Sequence, residues 1–208
     1  MSKVQWKGGA LLAPVPPVLV TCAAGNRQNV FTVAWTGIIN TNPPKTYISV
    51  RPSRYSYGLI AESGEFVINL TTAALVRATD SCGVYTGKKV DKFRRFHLTP
   101  EPASVVRCPC LAESPLSLEC RVIDRIPLGT HEMFLADIVA ADVDEQLLDR
   151  DGRLCLERAN LLAYAHGDYY ALGKQLGKFG WSVRKKKPAP KKPGARPQAP
   201  SSPRRPRK

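Results

Sequence analysis

The sequence predicts a mainly β domain, a barrel or sandwich with short flanking helices. About seven β-branched or aromatic runs of strand length recur along the chain, and only short helical stretches separate them. No GxGxxG follows the first strand, and no GxxxxGKS/T occurs anywhere. A βαβ repeat, a dinucleotide fold of the Rossmann type and a P-loop are thereby set aside.

Taken in order, residues 1–13 form an entry segment whose Trp6 packs on the body. Residues 15–23 are a strand after a proline-rich start, with Cys22 a small apolar filler, and Gly25-Asn26-Arg27-Gln28 is a turn. Residues 29–39, NVFTVAWTGII, read as one strand that loosens near Gly37. The two-residue period puts Thr32 and Ala34 on one face and Val33 and Trp35 on the other. Asn42-Pro43-Pro44 turns the chain into the stretch that organises the rest, residues 47–70. There Tyr47-Ile48-Ser49-Val50 is a strand, which Arg51-Pro52-Ser53-Arg54 breaks. Ser56 then caps a short helix over 57–62 that Ser63-Gly64 ends, and residues 65–70 resume as a strand.

Downstream, 72–79 is a helix and 81–88 a glycine-punctuated loop, and a short helix around Val90-Asp91-Lys92-Phe93 and Phe96 lies over a pocket. Residues 105–111, 116–123 and 131–142 are strands, with a turn at Pro127-Leu128-Gly129. Residues 147–152 are turn-like, 161–170 carry His166, Tyr169 and Tyr170, and 172–179 repeat glycine every few residues.

At 208 residues and 43% hydrophobic, the chain is one domain, or one domain plus an appendage. Its charge of +14 is unevenly placed: residues 184–208 hold 11 of the 31 Lys and Arg and no acid, leaving 20 basic against 17 acidic residues in the body. The basic character therefore belongs to the tail, not to the fold. That tail has no aromatic and no aliphatic side chain larger than alanine, so it is expected to be disordered and extended. Its charge offers a salt-dependent hold on nucleic acid or an acidic membrane, without aromatics for single-strand stacking.

No run suits a transmembrane span. Pro14, Pro16 and Pro17 interrupt the apolar residues 10–24, which argues against a signal peptide. The six cysteines show neither a CxxC pair nor zinc spacing, and reduced thiols in the cytoplasm are expected.

Catalytic motifs are scarce. Only His97, His131 and His166 exist, no GxSxG occurs, and no histidine pair has metal-ligand spacing. What remains suits an anionic aromatic ligand. Arg51, Arg54, Ser53 and Ser56 stand at a strand-to-helix junction, where charge, hydroxyls and unpaired amides favour a phosphate; a surface turn with solvated arginines is the plain alternative. Residues Thr32, Val33, Ala34 and Trp35, with Ser49 and Val50, offer strand edges, and Tyr57, Phe93, Phe96 and Trp35 offer flat apolar surface. The set fits a mononucleotide without choosing which.

At these residues the chain resembles the flavin reductase-like family, the FMN-binding split barrels of the flavoredoxin and small flavin reductase type. Four pieces carry the likeness: residues 29–35; residues 49–57 with 63–70; Gly87 with Asp91-Lys92-Phe93; and Gly129-x-His131 with His166-Gly167-Asp168-Tyr169-Tyr170-x-Leu172-Gly173. The resemblance implies a six-stranded antiparallel Greek-key split barrel over residues 1–183, the tail 184–208 excepted, and a homodimer with FMN near the subunit interface. Thr32, Val33, Ala34 and Trp35 then lie along the flavin ring, and Ser49, Val50 and Arg51 contact ring and ribityl chain. Arg54 and Ser56 hold the phosphate, and Ser81, Cys82, Gly83 and Lys92 close over the cofactor.

The resemblance further implies an oxidoreductase that moves electrons from NAD(P)H to flavin or onward to a redox partner protein. The cofactor carries that chemistry, so no triad is required. His131 and His166 are candidates for the nicotinamide side, against a packing role. Cys82 is a lining residue, or a redox-active thiol acidified by nearby positive charge. Two other readings stay open: an FMN-binding electron carrier without enzymatic activity, and a nucleic-acid-associated protein acting through the tail.

Overall fold

β1 (Val18–Ala24) and β2 (Arg27–Val33) form an antiparallel hairpin in a computed structural model that describes residues 1–184. Residues 185–208, and with them nearly all of the basic tail, lie outside the described residues. Among the described residues every strand and α-helix belongs to the unit Met1–Lys174; the described part of Gln175–Lys208 carries a 3-10 turn at Trp181–Val183.

The stretch 29–39 is two strands, not one. β2 ends at Val33, and β3 (Thr36–Thr41) begins after Ala34-Trp35. The chain changes partner there: β2 pairs with β1, whereas β3 pairs with β4 (Pro44–Val50). The Ser49 amide donates to the Trp35 carbonyl at 2.9 Å and anchors the crossing. Gly37, where loosening is expected, sits inside β3 opposite Tyr47.

Helix α1 spans Tyr55–Ser63, two residues longer at its start than the sequence suggests. Arg54 holds the N-cap position without a side-chain cap, so Ser56 is not the cap. The buried Asn29 amide claims its hydroxyl, donating to Ser56 Oγ at 2.7 Å. Gly64 ends the helix as expected: its φ of 69° is left-handed, which glycine adopts without a Cβ clash.

β5 (Glu65–Leu70) follows, then α2 (Val76–Val84) after a 3-10 turn at Ala73–Leu75. The helix expected over 72–79 thus runs on through Ser81, Cys82 and Gly83, which are helical rather than looped. Leu75, Ala78 and Cys82 repeat at helical spacing and pack on Leu19 and Val30, and that apolar face outweighs Gly83 as a breaker. α3 (Lys92–Arg95) is short, capped by the Asp91 carboxylate on the Arg94 amide.

The strand expected over 105–111 shrinks to β7 (Cys110–Leu111), which pairs with β6 (Pro100–Glu101). The reason is competition for amides. Those of Ser104, Val105 and Val106 donate to the buried Glu119 carboxylate, and Pro109 has none to offer a ladder. β8 (Leu116–Pro127) and β9 (Glu132–Val143) form the longest hairpin, and β10 (Leu162–Ala165) and β11 (Asp168–Ala171) the last, turning at His166-Gly167.

The main sheet runs β2-β1-β5-β8-β9-β4-β3 with every neighbour antiparallel. Seven strands stand where the resemblance implies six, because one stretch supplies two of them. Those two are the edges of the sheet, so Ala34-Trp35 joins edge to edge through the chain while no ladder closes between them. This is a split barrel. Alternate side chains, among them Val20, Phe31, Ile48, Phe66 and Phe134, fill its interior, and Leu59 and Ile60 of α1 join them. Leu19 and Val30 point outward and are covered by α2 and α3, so β1 and β2 are buried on both faces. Among the described residues no helix is long and apolar enough to cross a membrane.

Candidate functional site

The crossing at Ala34-Trp35 leaves a cavity of about 430 Å³ beside it. Thr32, Val33, Ala34 and Trp35 line one wall, and Ser49, Val50 and Arg51 line the facing one. Each wall keeps a ladder on one side only, Thr32 and Val33 with β1 and Ser49 and Val50 with β9, so its open edge presents backbone groups and side chains to the cavity.

A second hollow of about 270 Å³ adjoins the first, sharing Phe31, Arg51 and Arg54 with it and adding Ser53, Ser56 and Lys92. Among the described residues no carboxylate lines either hollow, whereas three cations do. Arg51 and Arg54 are exposed; Lys92 is buried, 3% exposed. Lys92 Nζ donates to the Cys82 carbonyl at 2.7 Å, and Arg54 Nη1 donates to the Gly83 carbonyl at 2.8 Å. These carbonyls belong to the last turn of α2, where helix ends leave acceptors unpaired and partly negative. The two cations are thereby held in place with donors to spare.

Burial pushes the Lys92 ammonium down to about 8, and the nearby Arg54 guanidinium adds to this. His131 lines the first cavity, held below the ordinary histidine range by burial and by Arg51 and Arg54. The arrangement suits a flat molecule bearing an anionic tail: apolar walls and backbone groups at one end, three cations and hydroxyls at the other.

Several sequence-predicted residues lie elsewhere. Tyr57 packs on Phe134, and its hydroxyl is bonded to Glu132 and Arg125, away from both hollows. Phe93 is part of the packing beneath α2, and Ser81 lines neither hollow. His166 is exposed at the β10–β11 turn and does not reach the cavity. Ser56 borders the second hollow but is buried and bonded to Asn29. Cys82 is fully buried in α2, and burial pushes its thiol up to about 11, the opposite direction from an acidified thiol; its carbonyl accepts from Lys92.

Some lining residues had no site role assigned from the sequence. Tyr164 and Tyr169, a tilted pair 5.4 Å apart on β10 and β11, close the first cavity from far along the chain. Burial and the Asp80 carboxylate push the Tyr169 phenol up to about 12. Asn29 and Gly87 border the second hollow. An asparagine inside a β-branched run was the available signal for Asn29.

Comparison with known proteins gives this geometry a family. Residues 11–173 match the family model described as flavin reductase like domain. The chain is similar to flavoredoxin of Desulfovibrio vulgaris (Miyazaki F), 32% identical with a TM-score of 0.82, over 88% of this chain and 100% of that one. It is similar to an uncharacterized protein of Archaeoglobus fulgidus, 31% identical over 113 residues, which are 54% of this chain and 64% of that relative, so it spans less than two thirds of that relative's length. It is also similar to the reductase component of the FADH(2)-dependent resorcinol hydroxylase of a Rhizobium species, 24% identical over 131 residues, 62% of this chain and 70% of that one. A split barrel whose open seam carries the site, matched over most of its length, thus belongs to the flavin reductase like domain family.

Proposed function

We propose that this chain is an FMN-binding oxidoreductase that takes electrons from NAD(P)H and passes them to flavin or to a partner acceptor. The observation that carries the reading is the polarity of the seam: among the described residues, three cations and no carboxylate at one end, apolar strand ends at the other. FMN, when bound, supplies the hydride and electron chemistry. Arg51, Arg54, Lys92 and Ser53 hold its phosphate, and the walls 32–35 and 49–50 orient its ring. His131, neutral near pH 7, adds no further charge beside Arg51 and is placed to position the nicotinamide. The exposed Trp35, Ile38, Ile39 and Leu128 support a homodimer, and six free, buried cysteines support a reducing compartment such as the cytoplasm.

The test is a visible spectrum of the purified chain with FMN, repeated after anaerobic NADH and NADPH. A yellow protein bleached by either nicotinamide is expected. Failure to take up FMN overturns the cofactor; bleaching by dithionite alone overturns the hydride donor and leaves an electron carrier.

Lys92 gives the reading a pH signature. The protonated ammonium binds the phosphate, and the anion raises its pKa in the complex. Affinity is therefore fully present below about 8 and is lost as pH rises through about 8, the free protein's value. The phosphate's second ionisation near ~6 sets the acid limb, so FMN affinity should peak between about pH 6 and 8 and fall by up to about tenfold per unit above it. Titrations across this range should show the alkaline limb for FMN, none for riboflavin, and none for FMN with Lys92→Met. An alkaline limb unchanged in that variant assigns the proton elsewhere.

A further inference from the structure

Beyond the phosphate hollow lies a third, of about 440 Å³, on its far side. Four residues border both: Asn29, Tyr55, Gly87 and Lys92. They form a partition between the two hollows, and Gly87, Asn29 and Lys92 are held in place. Gly87 is pressed so closely that a Cβ there would lie 2.4 Å from Asn29 Oδ1 and 2.7 Å from Tyr55 Cδ1. No larger side chain fits there without displacing Asn29 or Tyr55. Asn29 is 4% exposed and tied to Ser56, and Lys92 is tied to the Cys82 carbonyl.

The outer hollow is basic. Arg27 is spent on Glu62 at 2.5 Å, and Asp91 caps α3. Lys88 and Lys89 are exposed and form no ion pair among the described residues. A phosphate reaching that hollow would find two available cations.

We propose that the Asn29–Tyr55–Gly87 partition sets the preference among flavin nucleotides, favouring the mononucleotide by withholding Lys88 and Lys89 from the second phosphate of the dinucleotide; this rests on the FMN-binding reading above. The chemistry is local. In FMN the 5′ phosphate is a monoester, and all its outer oxygens can meet Arg51, Arg54, Lys92 and Ser53. In the dinucleotide one of those oxygens bridges to a second phosphate and an adenosine. The bridge has to leave the hollow, and toward Lys88 and Lys89 the partition stands in its way. A phosphate displaced by that bridge forfeits at least one charge-assisted bond, so FMN is preferred by about tenfold or more.

The experiment measures FMN, FAD and riboflavin affinities on the full chain by flavin fluorescence. The wild type is expected to prefer FMN to FAD by about tenfold or more, and Tyr55→Ala to narrow that ratio by about threefold or more by opening the partition. Adding Lys88→Ala and Lys89→Ala to Tyr55→Ala should cancel the gain for FAD and leave FMN unchanged. Lys88→Ala with Lys89→Ala in the wild-type background needs no change at the partition. It should move neither affinity, and selective loss of FAD there means that the dinucleotide already passes, which overturns the proposal. So does equal wild-type affinity for FMN and FAD, or an unchanged ratio in a Tyr55→Ala chain that still binds FMN. A wild type that binds no flavin ends the reading of the site itself, a different result from one that binds both alike.

Discussion

Alanine at position 54 is expected to weaken FMN binding by about one to two decades and to leave riboflavin binding nearly unchanged. A hydrogen bond to a charged partner contributes ~1.5–3 kcal/mol, and each ~1.4 kcal/mol is tenfold in affinity. Arg54 is exposed, so solvent screening favours the lower end of that range and added salt should narrow the difference. The substitution also removes the bond from Arg54 to the Gly83 carbonyl at the end of α2. That loss falls equally on both ligands, so the comparison with riboflavin isolates the phosphate. Arg54→Lys keeps the charge and loses the planar fork, and should fall between the two. Equal losses for FMN and riboflavin would move the phosphate away from the seam.

The strands were legible wherever side chains alternate between interior and exterior. Residues 47–50 and 65–70 lie within β4 and β5 because each has one face in the barrel. The division of 29–39 was not legible, since nothing at Ala34-Trp35 is a turn residue. The break comes from a change of partner between two sheet edges, which only the assembled sheet defines. Residues 105–111 are apolar enough for a strand, yet a carboxylate on β8 takes the amides that pairing requires. At α2 the glycine at 83 pointed to a loop, but Leu75, Ala78 and Cys82 at helical spacing, two buried and one partly buried, prevailed.

The site divides in the same way. Arg51, Ser53 and Arg54 were legible because a strand-to-helix junction is a local feature of the chain. Ser56 borders the second hollow but is not the cap, because the helix begins two residues earlier with Arg54 at its N-cap, and Tyr57 turns toward Glu132 instead of the site. Tyr164 and Tyr169 were invisible as site residues, since closure of the cavity by the last hairpin depends on its pairing with the start of the fold. The bridge between Val15 and Tyr164 brings it there.

Glu119→Ala is expected to destabilise the fold by roughly 3 kcal/mol, because the carboxylate organises a segment that has no ladder of its own. Glu119 is fully buried on β8. It accepts from the amides of Ser104 and Val105 at 2.8 Å each, from that of Val106 at 2.6 Å, and from the Ser104 hydroxyl. Water can reach Ser104 and Val105 once the acceptor is gone, but Val106 is buried and its amide is left unpaired. Burial alone raises a carboxyl's pKa; here the hydrogen bonds outweigh it and hold Glu119 down to about 2. The sign for stability follows. The contribution is present above the ordinary value of 4.5 and is lost as pH falls from there through about 2. Asp142 works the other way, raised by its own burial and by Glu119, and so offsets part of that acid limb. Urea melts at pH 7 and pH 3 separate these contributions. Glu119→Gln keeps one acceptor oxygen but cannot titrate, so it should be less stable than the wild type at pH 7 and lose less on acidification. If Glu119→Ala melts with the wild type at pH 7, the 104–106 segment is held by its apolar contacts and not by the carboxylate.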